Sequence, residues 1–308
     1  MEYVVLGHSD LRISRIGFGC WAIGGYGWGK VDDRESIRAI ERALELGINF
    51  FDTADVYGFG HSEKILSLGL GEQRRHVVIA TKFGVMWDSQ GRITRDISPG
   101  RVTQALEDSL RRLKVDCIPL YQINWPDEKT PISIAIEALN RCQKAGKIRS
   151  IGCCNLSSEQ IQEAAKRHPV TSLQVPYNIV DKAIEDRILA ACKEHGISVM
   201  TYGSLAQGLF SGKFSPEVQF GKEDIRSRSV YFQEAARERN FQVVKLLEEI
   251  GQRYGRTPAQ VALRWILDNP DITCALTGIK TPRQIDENVG ALDWTLSPDD
   301  WQLLARVS

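Results

Sequence analysis

Neither sign of charge dominates this chain: Lys plus Arg and Asp plus Glu stand at 39 each. A surface without net charge has no electrostatic pull toward nucleic acid or anionic lipid, and neither is expected as a partner. Long apolar runs are missing too, and none approaches the roughly 18 residues that a bilayer-spanning helix needs. The opening Met1–Gly7 has neither the basic segment nor the apolar stretch of a secretion signal, so the protein is expected in the cytoplasm. Paired cysteines are absent. Cys20, Cys117, Cys142, Cys153, Cys154, Cys192 and Cys274 form no Cys-x-x-Cys, and the histidines do not gather with them into a ligand set. They read as small buried hydrophobes in a reducing compartment, and no metal is expected. Linker-like and low-complexity stretches are also lacking, so residues 1–308 read as one domain.

What is present is a repeat. After a hairpin pairing 3–6 with 11–14, short apolar runs alternate with segments of helical period. The run 16–19 precedes a helix over 32–46, 49–52 precedes 62–70, and 77–81 precedes 98–113. Then 118–123 leads to 131–145, 150–154 to 157–167, and 172–176 to 185–195. The run 198–202 precedes a long insertion and helices over 235–254 and 258–269. The last run, 272–276, leads to 282–291 and a tail. Asp32/Asp33, Ser98-Pro99, Ser157-Ser158-Glu159 and Thr257-Pro258 supply helix-start signals. Strands apolar on both faces, each followed by a crossover helix, demand a parallel sheet. Eight such units predict a closed (β/α)8 TIM barrel with an N-terminal β-hairpin and a C-terminal helical extension. The competing open sheet usually carries Gly-x-Gly-x-x-Gly after its first strand, whereas Gly17-Phe18-Gly19-Cys20-Trp21 lacks the third glycine.

In such a barrel the residues at the C-terminal strand ends converge on one mouth. Asp52 and Tyr57 follow the second strand, Lys82 the third and Asn124 the fourth. A free tyrosine titrates near pH ~10 and donates its proton reluctantly at neutral pH. A lysine ammonium beside it favours the phenolate, and an aspartate orients the ammonium. The group reads as a general acid able to protonate an alkoxide that forms as hydride reaches a carbonyl carbon.

These residues lie in segments that resemble the aldo-keto reductase superfamily over nearly the whole chain. The matching stretches are Leu11-Arg12-Ile13-Ser14-Arg15-Ile16-Gly17-Phe18-Gly19, Phe51-Asp52-Thr53-Ala54-Asp55-Val56-Tyr57-Gly58 and Ile79-Ala80-Thr81-Lys82. Ala145–Gly152 and Leu205–Lys213 add to them. The resemblance implies a catalytic set of Asp52, Tyr57, Lys82 and Asn124, the last standing where the family usually has histidine. Asparagine keeps a donor for a carbonyl oxygen but cannot relay a proton. Asparagine at this place is similar to the potassium-channel β subunits of the same superfamily, while the rest of the chain looks closer to bacterial general-purpose reductases.

The resemblance also implies a nicotinamide cofactor, NADPH rather than NADH. Asn155 and Gln174 are expected at its carboxamide, with Cys154 in place of the usual serine, and Cys20, Trp21 and Asp52 nearby. Tyr202 is expected to stack on the ring. Gly203, Ser204, Leu205, Ala206, Gln207 and Lys213 are expected at the pyrophosphate. Gly278, Lys280, Arg283, Gln284, Glu287 and Asn288, with Arg226 and Arg228 from the insertion, match the adenosine segment, where the cations neutralise a 2′-phosphate. Trp21, Trp28, Trp87 and Trp125 are candidates for the substrate pocket. The sequence therefore reads as a monomeric or weakly self-associating reductase of small aldehydes or ketones. The alternative is an NADPH-binding sensor or channel-type accessory subunit with slow residual turnover.

Overall fold

The computed structural model describes residues 1–88, 90 and 92–307. The hairpin comprises β1 (Tyr3–Val5) and β2 (Arg12–Ser14), and the first half of the barrel follows as β3 (Ile16–Gly19), α1 (Asp33–Glu45), β4 (Phe50–Asp52), α2 (His61–Leu70) and β5 (Val78–Phe83). A second hairpin, β6 (Val85–Trp87) with β7 (Ile93–Arg95), precedes α3 (Pro99–Leu113). The chain continues through β8 (Ile118–Ile123), α4 (Ile132–Lys144), β9 (Ile148–Cys154), α5 (Ser158–Arg167), β10 (Ser172–Pro176), α6 (Ile188–Glu194) and β11 (Ser198–Tyr202). It ends with α7 (Glu234–Tyr254), α8 (Pro258–Asp268), β12 (Cys274–Gly278), α9 (Pro282–Val289) and α10 (Pro298–Ala305).

The eight strands β3, β4, β5, β8, β9, β10, β11 and β12 close into a barrel in that order, all pairs parallel. The predicted strands all form, within two residues of their expected ends. The second hairpin was not anticipated, because three-residue strands leave too short a pattern to read. The helix starts behave as their residues dictate: Ser157 and Thr257 close capping boxes with Gln160 and Gln260, and Asp32 accepts from the Arg34 N–H. Ser98 sits at the N-cap of α3 without a side-chain bond.

One end of the barrel is plugged by the leading hairpin. Leu6, Leu11 and Ile13 are buried against Phe50, Val78, Leu120 and Met200 inside the strands. Each such side chain is worth about 1.5–3 kcal/mol of burial. The hairpin turn is pressed onto the barrel: the Gly7 N–H donates to Ser198 Oγ at 2.7 Å. With that end filled, the opposite end, where the strands finish, is left as the mouth.

The insertion after β11 roofs part of this mouth. Its Ile225 N–H donates to the Gly27 carbonyl at 2.8 Å, tying it to the glycine- and aromatic-rich loop after β3. Phe214, Phe220 and Phe232 form a mutually edge-on cluster that gives the insertion a small core of its own. On the far side, Trp265 stacks between Tyr177 and Trp301, docking α10 onto α8.

Candidate active site at the barrel mouth

Asp52 is the last residue of β4, and its register partner on β5 is Ala80. Lys82 lies two residues further along β5, so it is an interior strand residue rather than one past the strand, and it is 1% exposed. Its ammonium donates to Asp52 Oδ1 at 2.5 Å, to the Thr53 carbonyl at 2.9 Å and to the Tyr57 hydroxyl at 3.3 Å. All three of its protons are thereby used. Burial alone would neutralise the lysine, but the Asp52 carboxylate outweighs it and holds the ammonium above its usual range. Asp52 is equally saturated, its Oδ2 accepting from Gln174 Nε2 at 2.8 Å and Gln122 Nε2 at 3.1 Å. A buried ion pair is stable only when the remaining lone pairs and protons are satisfied in this way.

Tyr57 sits in the turn after β4. Its ring stacks on Trp21 at 6.0 Å between centroids, and the Lys82 ammonium lies 4.9 Å from the ring centre. Two glycines set this turn against the loop after β3. Gly58 has φ +59°, and a Cβ there would stand 2.1 Å from the Gly24 carbonyl oxygen. Burial pushes the Tyr57 hydroxyl up to about 12; Lys82 pulls it down and the Asp52 charge pushes it up again. The lysine alone was expected to favour the phenolate, but desolvation wins, and the tyrosine is held protonated.

Asn124 follows β8, anchored by its backbone N–H on the Phe83 carbonyl at 2.8 Å, and its side chain makes no hydrogen bond among the described residues. Asn155, in the left-handed region at φ +57°, donates from Nδ2 to the Asn124 carbonyl at 2.9 Å and accepts from the Tyr202 hydroxyl at 2.9 Å. These residues share the wall of one cavity of about 1250 Å³ with Asp52, Tyr57 and Gln174. That exceeds the usual ~300–1,000 Å³ of a small-molecule pocket.

The other end of the cavity is cationic. Lys213, Arg226 and Lys280 gather there; burial and mutual repulsion hold both ammonium groups below their usual range. Arg226 is forked onto Asp224, through Nε at 2.8 Å and Nη2 at 2.5 Å. Gln284 accepts from the Lys280 and Thr281 N–H groups, so its amide oxygen is committed to starting α9. Ala206 and Gln207 both have positive φ, at 47° and 55°, in a turn of the kind that aims N–H groups at an anion. Gln207 Oε1 and Trp28 Nε1 are buried in the cavity wall without a partner. Crowded cations and orphaned polar atoms mark a surface built to face a polar, anionic ligand.

Most expected residues come together here. Trp21, Trp28 and Trp125 line the cavity, as do Gly203, Ser204, Leu205, Gln207, Lys213, Arg226, Arg228, and the expected residues of the 278–288 segment. Five do not reach its surface, Lys82 among them, which meets the cavity only through its bonds to Asp52 and Tyr57. Cys20 and Cys154 are buried behind the wall, with thiols pushed far up by burial, and Ala206 is likewise buried. Trp87 instead packs on Phe59, at 5.5 Å between centroids, and Phe59 lines the cavity in its place. Gln122 was missed, although a glutamine inside the apolar run 118–123 is a legible signal of an interior polar contact. Val85, Ile93 and Arg95 of the second hairpin were missed because that hairpin was.

Behind the turn lies a second buried ionic group. Asp55 is bonded to Arg101 at 3.0 Å, and Glu63 to Arg112 at 2.5 Å and to the Thr81 hydroxyl at 2.7 Å. Asp55 Oδ1 has no partner, and burial together with the Glu63 charge raises this carboxyl to about 7. Among the described residues no three His, Cys, Asp or Glu side chains are grouped to hold a metal, and no helix is long and apolar enough to cross a membrane.

A parallel barrel with a Tyr–Lys–Asp cluster at its mouth, beside a long cation-lined cavity, defines the class: a barrel oxidoreductase. The model of the aldo/keto reductase family matches residues 15–308, and the chain belongs to that family. An aldo-keto reductase of Bacillus subtilis is 37% identical over 303 residues, covering 97% of this chain and 91% of that protein. The NADH-specific methylglyoxal reductase of Escherichia coli is 35% identical, covering 100% of this chain and 98% of its own length. Among solved structures, the glycerol dehydrogenase of Gluconobacter oxydans superposes with a TM-score of 0.92 at 36% identity, covering 99% of this chain and 94% of that one. Aldo-keto reductases use nicotinamide cofactors.

Proposed function

We propose that this protein reduces aldehydes or ketones to alcohols, with Tyr57 as the proton donor. The observation that carries the proposal is the chain Asp52–Lys82–Tyr57, bonded at 2.5 and 3.3 Å, with Asp52 and Tyr57 on the wall of the cavity and Lys82 buried behind them. The nicotinamide cofactor, when bound, supplies the hydride to the carbonyl carbon. Tyr57 gives its hydroxyl proton to the carbonyl oxygen as the C=O π bond becomes C–H and O–H, and it recovers a proton from solvent. Lys82 carries the work of stabilising the phenolate left behind, while Asp52, held by Gln122 and Gln174, keeps the ammonium in place. The free Asn124 amide positions the carbonyl oxygen but cannot share the proton.

The residues present fit a dinucleotide, because the cations at the far end lack enough carboxylates and the wall carries orphaned polar atoms. Lys213, Lys280, Arg226 and Arg283 support a preference for the additional phosphate of NADPH. The relative from E. coli is NADH-specific by name, so the preference is to be measured by comparing kcat/KM for the two cofactors. The reductase reading is tested by following absorbance at 340 nm with NADPH and a nitrobenzaldehyde. Steady multiple turnovers that disappear in Tyr57→Phe support it; a single slow turnover would sink it in favour of a sensor-like protein.

A further inference from the structure

The reaction end of the cavity carries one feature that the hydride chemistry does not use. Arg95, in β7, lies directly opposite Val85 of β6, and both line the cavity beside Trp125. The Arg95 guanidinium rests 4.6 Å from the centre of the Trp125 ring, and Trp125 adjoins Asn124 in the chain. Three carboxylates close to it along the chain are bonded elsewhere. Asp88 is bonded to Arg92, Asp96 caps the Ser98 N–H, and Asp127 accepts from the N–H groups of Ile97, Lys129 and Thr130. No ion pair to Arg95 forms among the described residues. Among the described residues the one lining carboxylate at this end is Asp52, which Lys82 neutralises; the others, Glu223, Asp224 and Glu287, belong to the cationic end.

An arginine held over an indole face, with no hydrogen bond or ion pair among the described residues, has its N–H groups free for a planar, two-oxygen anion. Around it the wall is apolar and aromatic, from Trp21, Trp28, Phe59, Val85 and Ile93. We propose that Arg95 is an anion-recognition residue, and that the favoured substrates are carbonyl compounds carrying a carboxylate or phosphate on an apolar body. This rests on the reductase reading and names its substrate class.

The test compares matched pairs at saturating cofactor: 4-carboxybenzaldehyde against methyl 4-formylbenzoate, and glyceraldehyde 3-phosphate against glyceraldehyde. In the unaltered protein the anionic member of at least one pair should have a kcat/KM about tenfold higher, as a charge-assisted hydrogen bond confers. The responding pair distinguishes carboxylate from phosphate. Arg95→Met keeps the apolar stem on Trp125 and should bring the ratio to about one, whereas Arg95→Lys should retain part of it. Because the ratio is read within each protein, a general loss of activity cancels. Added salt should also shrink the ratio in the unaltered protein, a readout that needs no variant. A ratio near one for both pairs, or an unchanged ratio in Arg95→Met, overturns the proposal. Failure to reduce any of the four compounds would overturn the reductase reading beneath it.

Discussion

The two ends of the cavity are built on opposite electrostatic plans. In the catalytic cluster at the reaction end both charges have their partners: Lys82 spends all three protons within the protein, and Asp52 accepts from Lys82, Gln122 and Gln174. At the cationic end Lys213 and Lys280 repel one another and Arg226, with their ammonium groups held below the usual range. The first set stands on neighbouring barrel strands and the turn after β4; the second stands on the insertion and the loop before α9. The group proposed to place a proton is preorganised by the rigid sheet, whereas the cations proposed to receive an anion keep their unmet charge on connecting segments.

The sharpest break in this contrast would come at Tyr57. Tyr57→Phe removes the donor but leaves Lys82 and Asp52 paired, so kcat should fall about 10³-fold with little change in cofactor affinity. Retained turnover would show that another group supplies the proton. Because burial places the hydroxyl at about 12, reduction should be flat with pH across neutrality on its account. Oxidation of the alcohol needs the phenolate and should rise with pH over the same range.

Asp55 tests whether satisfaction, rather than burial, separates stable charges from unstable ones. It lies three residues from Asp52 and is equally buried, yet one of its oxygens is orphaned. Its folded value of about 7 stands above the ordinary 3.8, so the folded protein holds a proton that the unfolded chain has lost between those limits. Stability should therefore fall as pH rises from about 4 to about 7, by on the order of 4 kcal/mol at most, and level off above. Denaturant melts of Asp55→Asn should lack that slope; an identical slope would assign it to other groups.

The cationic end is expected to respond more mildly. Lys213→Ala with Lys280→Ala should raise KM for NADPH about tenfold or more with kcat nearly unchanged, and should bring NADPH and NADH closer together. NADP⁺ should raise the melting temperature of the unaltered protein, less so in high salt. A salt-independent shift would mean that the cations are not meeting phosphate.

The smallest effect concerns Asn124. If its free amide faces the reacting oxygen, Asn124→His should add one ionisation to the rate profile while changing kcat only several-fold. A profile without a new step would place position 124 away from the reaction.

Much of this was legible along the chain. The alternation of apolar runs and capped helices specified the barrel, because a strand buried on both faces has no other way to meet its neighbours. Asp52, Tyr57, Lys82 and Asn124 were legible because each ends, or interrupts, such a run. Cys20, Cys154 and Trp87 were misplaced because adjacency in sequence does not tell which side of a wall a side chain occupies. Cys154 follows Cys153 on β9 and points to the opposite face, yet neither reaches the cavity.

What the sequence alone determined is therefore the topology and the chemical inventory of the mouth, since these follow from periodicity and residue type. Only the tertiary structure decided how that inventory is wired. The saturation of Lys82, the net upward push on Tyr57, the orphaned oxygen of Asp55 and the free edge of Arg95 all depend on contacts between residues tens of positions apart. Desolvation and hydrogen bonding act at a few ångströms, and it is closure of the barrel that sets those distances.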